Sequence, residues 1–279
     1  MKTANLTSVA IAALLGIIML AGAGCTNSKT NQETSDNMET LNLTQEWDKK
    51  FPQSDKVNHR KVTFKNRYGI TLAADLYEPK NVEGKLAAIA VSGPFGAVKE
   101  QASGLYAQTM AERGFLTLAF DPSYTGESGG EPRNVASPDI NTEDFSAAVD
   151  FLTALPNVDA ERIGIIGICG FGGMGLNAAA MDTRIKATVA STMYDMSRVN
   201  ANGYFDAEDS ADDRNKKREM MNVIRTRDAQ SGTITPGVHG LPDSITGEEP
   251  QFVKDYFDYY KTNRGFHVRS INSNGAWSP

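Results

Sequence analysis

An α/β fold built on a doubly wound, mostly parallel sheet is predicted by three features of the sequence. Apolar, β-branched runs alternate with amphipathic helical stretches from residue 85 to residue 191, the order of a parallel sheet with crossover helices. Two segments of alternating polarity, 61–65 and 70–77, flank Asn66-Arg67-Tyr68-Gly69 as the arms of a hairpin would. The third feature is the most specific. Residues 162–175 begin with Ile163, Ile165, Ile166 and Ile168, a run suited to a strand buried on both faces. At Cys169 the composition changes to Gly170, Gly172, Gly173 and Gly175, then to the helix formers Leu176–Met181. Glycines suit a strained corner and a helix that approaches its strand closely.

Strand, glycine corner and helix resemble the nucleophile elbow of the α/β-hydrolases, most of all that of the dienelactone-hydrolase-like branch, where the nucleophile can be cysteine. Counted from the strand, Gly167-Ile168-Cys169 puts the thiol at the serine position of G-x-S-x-G. Counted back from the glycine pair, Phe171 falls there and the site would be inactive. The length of the strand favours Cys169, and a buried structural cysteine is the plain alternative. The resemblance implies an α/β-hydrolase-type sheet with a helical cap and Cys169 as nucleophile. It also implies an oxyanion hole made by the N–H groups of Gly170 and Phe95, because Pro94 in Ser92-Gly93-Pro94-Phe95-Gly96 has no N–H. Those same residues also make an ordinary turn. N–H groups at the start of the elbow helix are expected to lower the pKa of the thiol.

Between these landmarks, residues 100–113 read as a helix ended by Gly114, and 115–120 as a strand. The loop from Asp121 to Arg133 resembles the D-x-x-G-x-G-x-S loop of the superfamily and reads as structural turn chemistry. Residues 142–155 are predicted helical, with Thr142 as N-cap and Phe145, Ala148, Val149 and Leu152 on the apolar face. A strand at 185–191 leads to Asp195, which is eligible as the triad acid but reads first as a loop-capping aspartate. Two helices follow, a charged one at 209–228 and an aromatic one at 250–261 with Phe252, Tyr256, Phe257, Tyr259 and Tyr260. They resemble the cap over a hydrolase site, where the aromatics either line a pocket or pack the cap onto the core. No strand-like run follows Ser191. The fold is therefore expected to be C-terminally incomplete, without the βα units that carry the usual aspartate and histidine, and to expose an open edge beside 185–191. His267 is the candidate base and His239 the second choice; each also reads as a packing or surface histidine.

The N-terminus reads as a targeting segment. Lys2 precedes an apolar run at 9–20 and the small residues Ala21-Gly22-Ala23-Gly24-Cys25, too short an apolar stretch for a membrane span. Ala21-Gly22-Ala23 fits an A-x-A cleavage site, and Ala23-Gly24-Cys25 resembles a lipobox with Cys25 as the lipidated residue. Gly22 stands where a lipobox has leucine, whereas the polar tract after Cys25 suits a tether. The expected organisation is a signal at 1–25, a linker at 26–45, a hydrolase core at 46–196 and a cap-like segment at 197–279. The expected location is the cell envelope outside the cytoplasm, with a lipid anchor as the only membrane contact. With a net charge of −6, no basic stripe and no aromatic RNA-reading motif, no nucleic-acid partner is expected. Cys25 and Cys169 are the only cysteines, so no disulfide scaffold exists, and no spacing suits a metal or a cofactor. Two function classes stay open. One is an exported hydrolase that cleaves a small-molecule ester, lactone or thioester through Cys169, Asp195 and His267. The other is a hydrolase-derived lipoprotein without catalysis that at most binds a ligand.

Overall fold

In the computed structural model, which describes residues 40–237 and 240–277, the two alternating N-terminal segments pair as an antiparallel hairpin. The signal segment, Cys25, the linker up to residue 39 and His239 lie outside the described residues. Strand β1 (Val57–Lys65) turns into β2 (Thr71–Pro79) through a loop organised by Asn66, whose side-chain oxygen accepts the N–H groups of Tyr68 and Ile70 at 3.0 Å each. Next come β3 (Leu86–Ser92), α1 (Ala102–Ala111), β4 (Leu116–Phe120), α2 (Pro138–Thr153), β5 (Val158–Ile168), α3 (Gly170–Met181) and β6 (Ile185–Ser191). The six strands are ordered β1-β2-β4-β3-β5-β6, and β4, β3, β5 and β6 run parallel.

This order places the site. The chain leaves β3 through α1 to reach β4 on one side, then returns through α2 to β5 on the other side of β3. The direction of winding reverses around β3, so the loops after β3 and β5 open from one crevice at the C-terminal ends of the strands. Side-chain alternation then fills both faces of the sheet. Ala88, Ala90, Ile163 and Ile165 pack with Phe145 and Leu152 of α2 and with Met174 of α3. Ile89, Val91, Ile166 and Ile168 face the other way, onto Ala107 and Ala111 of α1. Each fully buried aliphatic side chain contributes roughly 1.5–3 kcal/mol.

One helix start differs from expectation. Helix α2 begins at Pro138, not at residue 142, with the Ser137 hydroxyl accepting the N–H of Ile140. Serine followed by proline is the stronger start signal, because proline needs no donor in the first turn and its φ already suits a helix. Thr142 lies buried inside the helix.

After β6 the chain is helical. Helix α4 (Met196–Asn202), which the periodicity did not reveal, precedes α5 (Ala211–Ser231), α6 (Gln251–Tyr260) and the short α7 (Ile271–Asn274). Helix α5 starts at its N-cap Ser210 and buries none of its residues; ion pairs such as Lys217 with Glu208 and Arg214 with Asp209 tie its first half to the preceding loop. Such surface pairs are individually weak. Strand β6 is the last of the sheet order, with Val189 53% exposed. Among the described residues no helix is long and apolar enough to cross a membrane.

Candidate active site

Strand β5 ends at Ile168, and the backbone turns at Cys169 with φ 57° and ψ −125°, a conformation unusual for a residue with a side chain. Neighbouring backbone holds the turn. The Cys169 N–H donates to the Ser191 carbonyl at 2.9 Å, while the Cys169 carbonyl accepts the N–H groups of Gly172 (2.9 Å) and Tyr194 (3.1 Å). A Cβ at Gly167 would lie 2.2 Å from the Phe171 carbonyl oxygen, so the strand can approach the helix this closely only as glycine. A Cβ at Gly170 would lie 2.6 Å from the Met196 side chain and 3.0 Å from Phe95 Cβ. Of the two registers open in the sequence, the strand-based one describes the chain. Cys169 occupies the corner, and Phe171 is buried in the first turn of α3 beside Phe145 and Phe95.

The backbone N–H groups of Gly170 and Phe95 both reach the Cys169 sulfur. Phe95 comes from the loop after β3 and Gly170 from the start of α3, so the two sides of the crevice meet at the thiol. Burial pushes the thiol pKa up, and the two N–H groups offset only part of that rise. The expectation of a lowered pKa is therefore overturned: at this corner desolvation outweighs the helix N-terminus. A raised pKa means less thiolate at neutral pH. Iodoacetamide should accordingly alkylate native Cys169 more slowly than a cysteine peptide at pH 7.5, with a rate that climbs to higher pH than the peptide's. A rate–pH midpoint below that of the peptide would contradict this ordering.

Asp195 and His267 are each engaged by other partners. Exposed Asp195 caps α4, its carboxylate accepting the Arg198 N–H at 3.0 Å. His267 is buried, with Nε2 3.5 Å from Asp48 Oδ2 and Nδ1 accepting the Arg269 N–H at 3.3 Å. Among the described residues, the influences acting on the thiol are burial and the two N–H groups, with no charged side chain. The geometry thus brings the Gly170 and Phe95 N–H groups to Cys169, while the side chains of Asp195 and His267 engage other residues.

Aromatic side chains of α6 and its neighbours surround the thiol. Burial raises the phenol pKa values of Tyr204, Tyr256 and Tyr260, and the nearby Cys169 charge adds to the rise. Tyr256 also hydrogen-bonds Tyr194. Ring contacts join the group into a continuous aromatic wall, edge-on from Tyr194 to Tyr204 at 5.9 Å and from Phe252 to Tyr256 at 6.0 Å, and tilted from Tyr204 to Phe252 at 5.2 Å.

Behind the Phe95 loop lies a buried ion cluster that sequence reasoning missed. Fully buried Lys99 contacts Glu100 at 2.6 Å, Asp121 at 2.8 Å and Glu127 at 2.6 Å. Lys61 pairs with Glu127 at 2.5 Å, and Arg269 reaches Asp48 at 2.5 Å and Glu100 at 3.1 Å. Burial opposes ionisation of Glu127, but Lys99 and Lys61 outweigh it and hold the carboxyl at about 2. The Lys99 N–H also donates to Asp121 at 2.7 Å, which pins the chain four residues after Phe95. In the sequence these charges look like the solvated start of a helix, and only the fold brings residues 61, 99, 127 and 269 together.

The sequence profile of the X-Pro dipeptidyl-peptidase (S15) family matches residues 68–237, from the hairpin turn through the elbow to the segment after α5. The chain belongs to this family. The chain is 61% identical over 270 residues to the uncharacterized protein PA2218 of Pseudomonas aeruginosa, covering 95% of this chain and 72% of that one. The crystal structure of PA2218 superposes with a TM-score of 0.82, covering 86% of this chain and 74% of its own. YcjY of Escherichia coli, also uncharacterized, is 40% identical over 212 residues, 74% of this chain and 68% of its own. Thiohydrolase aneE of Aspergillus aculeatus is 31% identical over 137 residues, 49% of this chain and 42% of its own. The α/β hydrolase GrgF of Penicillium sp. sh18 shares the fold at a TM-score of 0.57 and 22% identity, covering 77% of this chain and 71% of its own. The S15 chain described here is thus an α/β-hydrolase in fold, as the elbow implied, and a member of a hydrolase family.

Proposed function

We propose that this S15-family chain is an acyl hydrolase whose nucleophile is Cys169 and whose substrates are small esters, lactones or thioesters. The observation that carries the reading is the convergence of the Gly170 and Phe95 N–H groups on the sulfur at a strand-to-helix corner. A thiolate at that point attacks the acyl carbon and forms a C–S bond. The carbonyl oxygen becomes an oxyanion facing the two N–H donors, and each such donor is worth roughly 10²–10³ in rate. Collapse expels the alcohol or thiol, which takes a proton from solvent, and water then cleaves the acyl-thioester to return the thiol. The 31% identity to a protein named a thiohydrolase supports the thioester among the three substrate classes.

Turnover is expected to be slow, because the thiol pKa is raised and His267 is engaged with Asp48, so that among the described residues no histidine is given to Cys169 as a base. The test compares hydrolysis of p-nitrophenyl acetate, a phenyl thioester and alanyl-proline p-nitroanilide by the wild type and by Cys169→Ala. The reading expects weak ester and thioester turnover that Cys169→Ala abolishes. Activity confined to the anilide, or untouched by Cys169→Ala, would contradict it.

We also propose that the protein is exported and held in the cell envelope by lipid on Cys25, on the strength of residues 2–25. Labelling with a palmitate analogue should tag the wild type and spare Cys25→Ser. Equal labelling of both would remove the anchor from the account.

A further inference from the structure

The Phe95 N–H can serve the thiol only if the loop that carries it is held still, and the fold supplies a clamp from a distant part of the chain. Residues 270–272, at the start of α7, bind the Phe95-Gly96 dipeptide through three hydrogen bonds. The Ser270 hydroxyl donates to the Gly96 carbonyl at 2.9 Å, and the Asn272 N–H donates to the same oxygen at 3.1 Å. The Asn272 side-chain amide donates to the Phe95 carbonyl at 2.8 Å. That amide also serves Tyr260, one of the aromatic residues beside Cys169. Gly96 makes room for it: its φ is +78°, and a Cβ there would lie 2.4 Å from Asn272 Oδ1. Gly240 crowds the same oxygen, since a Cβ there would lie 2.9 Å from it. Asn272 is therefore seated in a slot shaped by two glycines, with its side-chain amide directed to the carbonyl of the oxyanion loop.

We propose that Asn272 is a positioning residue for the oxyanion hole: by anchoring the Phe95 carbonyl it fixes the direction in which the Phe95 N–H meets the Cys169 sulfur. The role of the hole rests on the hydrolase reading above, whereas the anchoring itself does not. A peptide carbonyl tied on one side of Phe95 limits rotation of the preceding peptide, whose N–H is the donor. Losing the tie lets the donor drift, and a thiolate deprived of one hydrogen bond from its surroundings is harder to form.

The experiment follows the thiol directly, so it needs no turnover. Iodoacetamide alkylation of Cys169 is measured against pH in the full chain for wild type, Asn272→Ala, Asn272→Asp and Asn274→Ala. Asn272→Asp keeps the shape but cannot donate to the Phe95 carbonyl. Asn274 lies on the same short helix and donates to the Val268 carbonyl instead. Both substitutions at Asn272 should move the rate–pH midpoint upward and slow alkylation by about tenfold at a fixed pH below the midpoint, on the scale of one hydrogen bond to a charged group. Asn274→Ala should follow the wild type. Should Asn272→Ala fold poorly, Asn272→Asp carries the comparison, and Ser270→Ala, which frees one of the two bonds to Gly96, should give a smaller shift in the same direction. Wild-type midpoints in both Asn272 variants, or an equal shift in Asn274→Ala, would overturn the proposal. Loss of ester turnover without any change in the thiol profile would also count against it. A wild type that is never acylated, together with a shifted profile in the Asn272 variants, would sink the hydrolase reading and leave the clamp standing.

Discussion

Replacing Lys99 with methionine is expected to cost about 3–5 kcal/mol of folding stability, a large part of the roughly 5–15 kcal/mol that holds a domain folded. The side chain is completely buried, and its ammonium touches Glu100, Asp121 and Glu127, whose carboxylate oxygens lie within 4.8 Å of one another. Methionine fills much the same volume, so the loss is electrostatic. It leaves mutually repelling carboxylates in a dry site, with Lys61 and Arg269 as their remaining partners. The pH dependence gives a second reading. Without Lys99 those carboxylates become harder to ionise in the folded state than in the unfolded chain. Protonation then favours the folded form, so the gap between variant and wild type should narrow as pH falls toward the carboxylate range. Urea unfolding at two pH values measures both effects. An unchanged midpoint, or a gap that widens in acid, would show that the cluster is not held together by Lys99.

The second large effect concerns Gly170. Alanine there would put a methyl group 2.6 Å from the Met196 side chain and 3.0 Å from Phe95 Cβ. Met196 is flexible and can yield, whereas Phe95 is stacked on Trp277 at 4.3 Å and clamped by residues 270–272, so the strain falls on the turn that carries the Gly170 N–H. Gly170→Ala should lower the rate of Cys169 acylation by about 10²–10³, the worth of one oxyanion donor, while the chain stays folded. Rapid-quench acylation kinetics with p-nitrophenyl acetate provide the measurement, with circular dichroism as the check on folding. An acylation rate within a few-fold of wild type would mean that neither donor stabilises the transition state.

Much of the architecture was legible before any coordinates, and the reasons are local. The hairpin, the alternating βα units and the elbow follow from side-chain periodicity and from glycines at a corner that tolerates nothing larger, as at Gly167. Phe95 stands out in the sequence as the candidate donor because Pro94 has no N–H. Thr142 has the residue type of a helix cap, but Ser137 followed by Pro138 is the stronger start signal and the chain uses it. What stayed hidden depends on the topology. Lys99 and Glu100 look like the start of a surface helix, and their burial against Asp121, Glu127 and Arg269 appears only once four distant segments meet. The pKa of Cys169 was misjudged for a related reason. A helix N-terminus can be seen in the sequence, but the burial that outweighs it comes from tertiary packing. His267 drew attention as a histidine near the end of the chain, and the fold gives it to Asp48.

Whether the Cys169 sulfur accepts an acyl group is read directly by intact-mass spectrometry with peptide mapping after a single exposure to p-nitrophenyl acetate. A single added acetyl group on Cys169, formed faster at higher pH, absent in Cys169→Ala and lost on standing in water, is the expected result. No adduct on native Cys169 at any pH at which the chain stays folded, with acetylation appearing only after denaturation, would contradict it and leave the thiol as a packing residue at the corner.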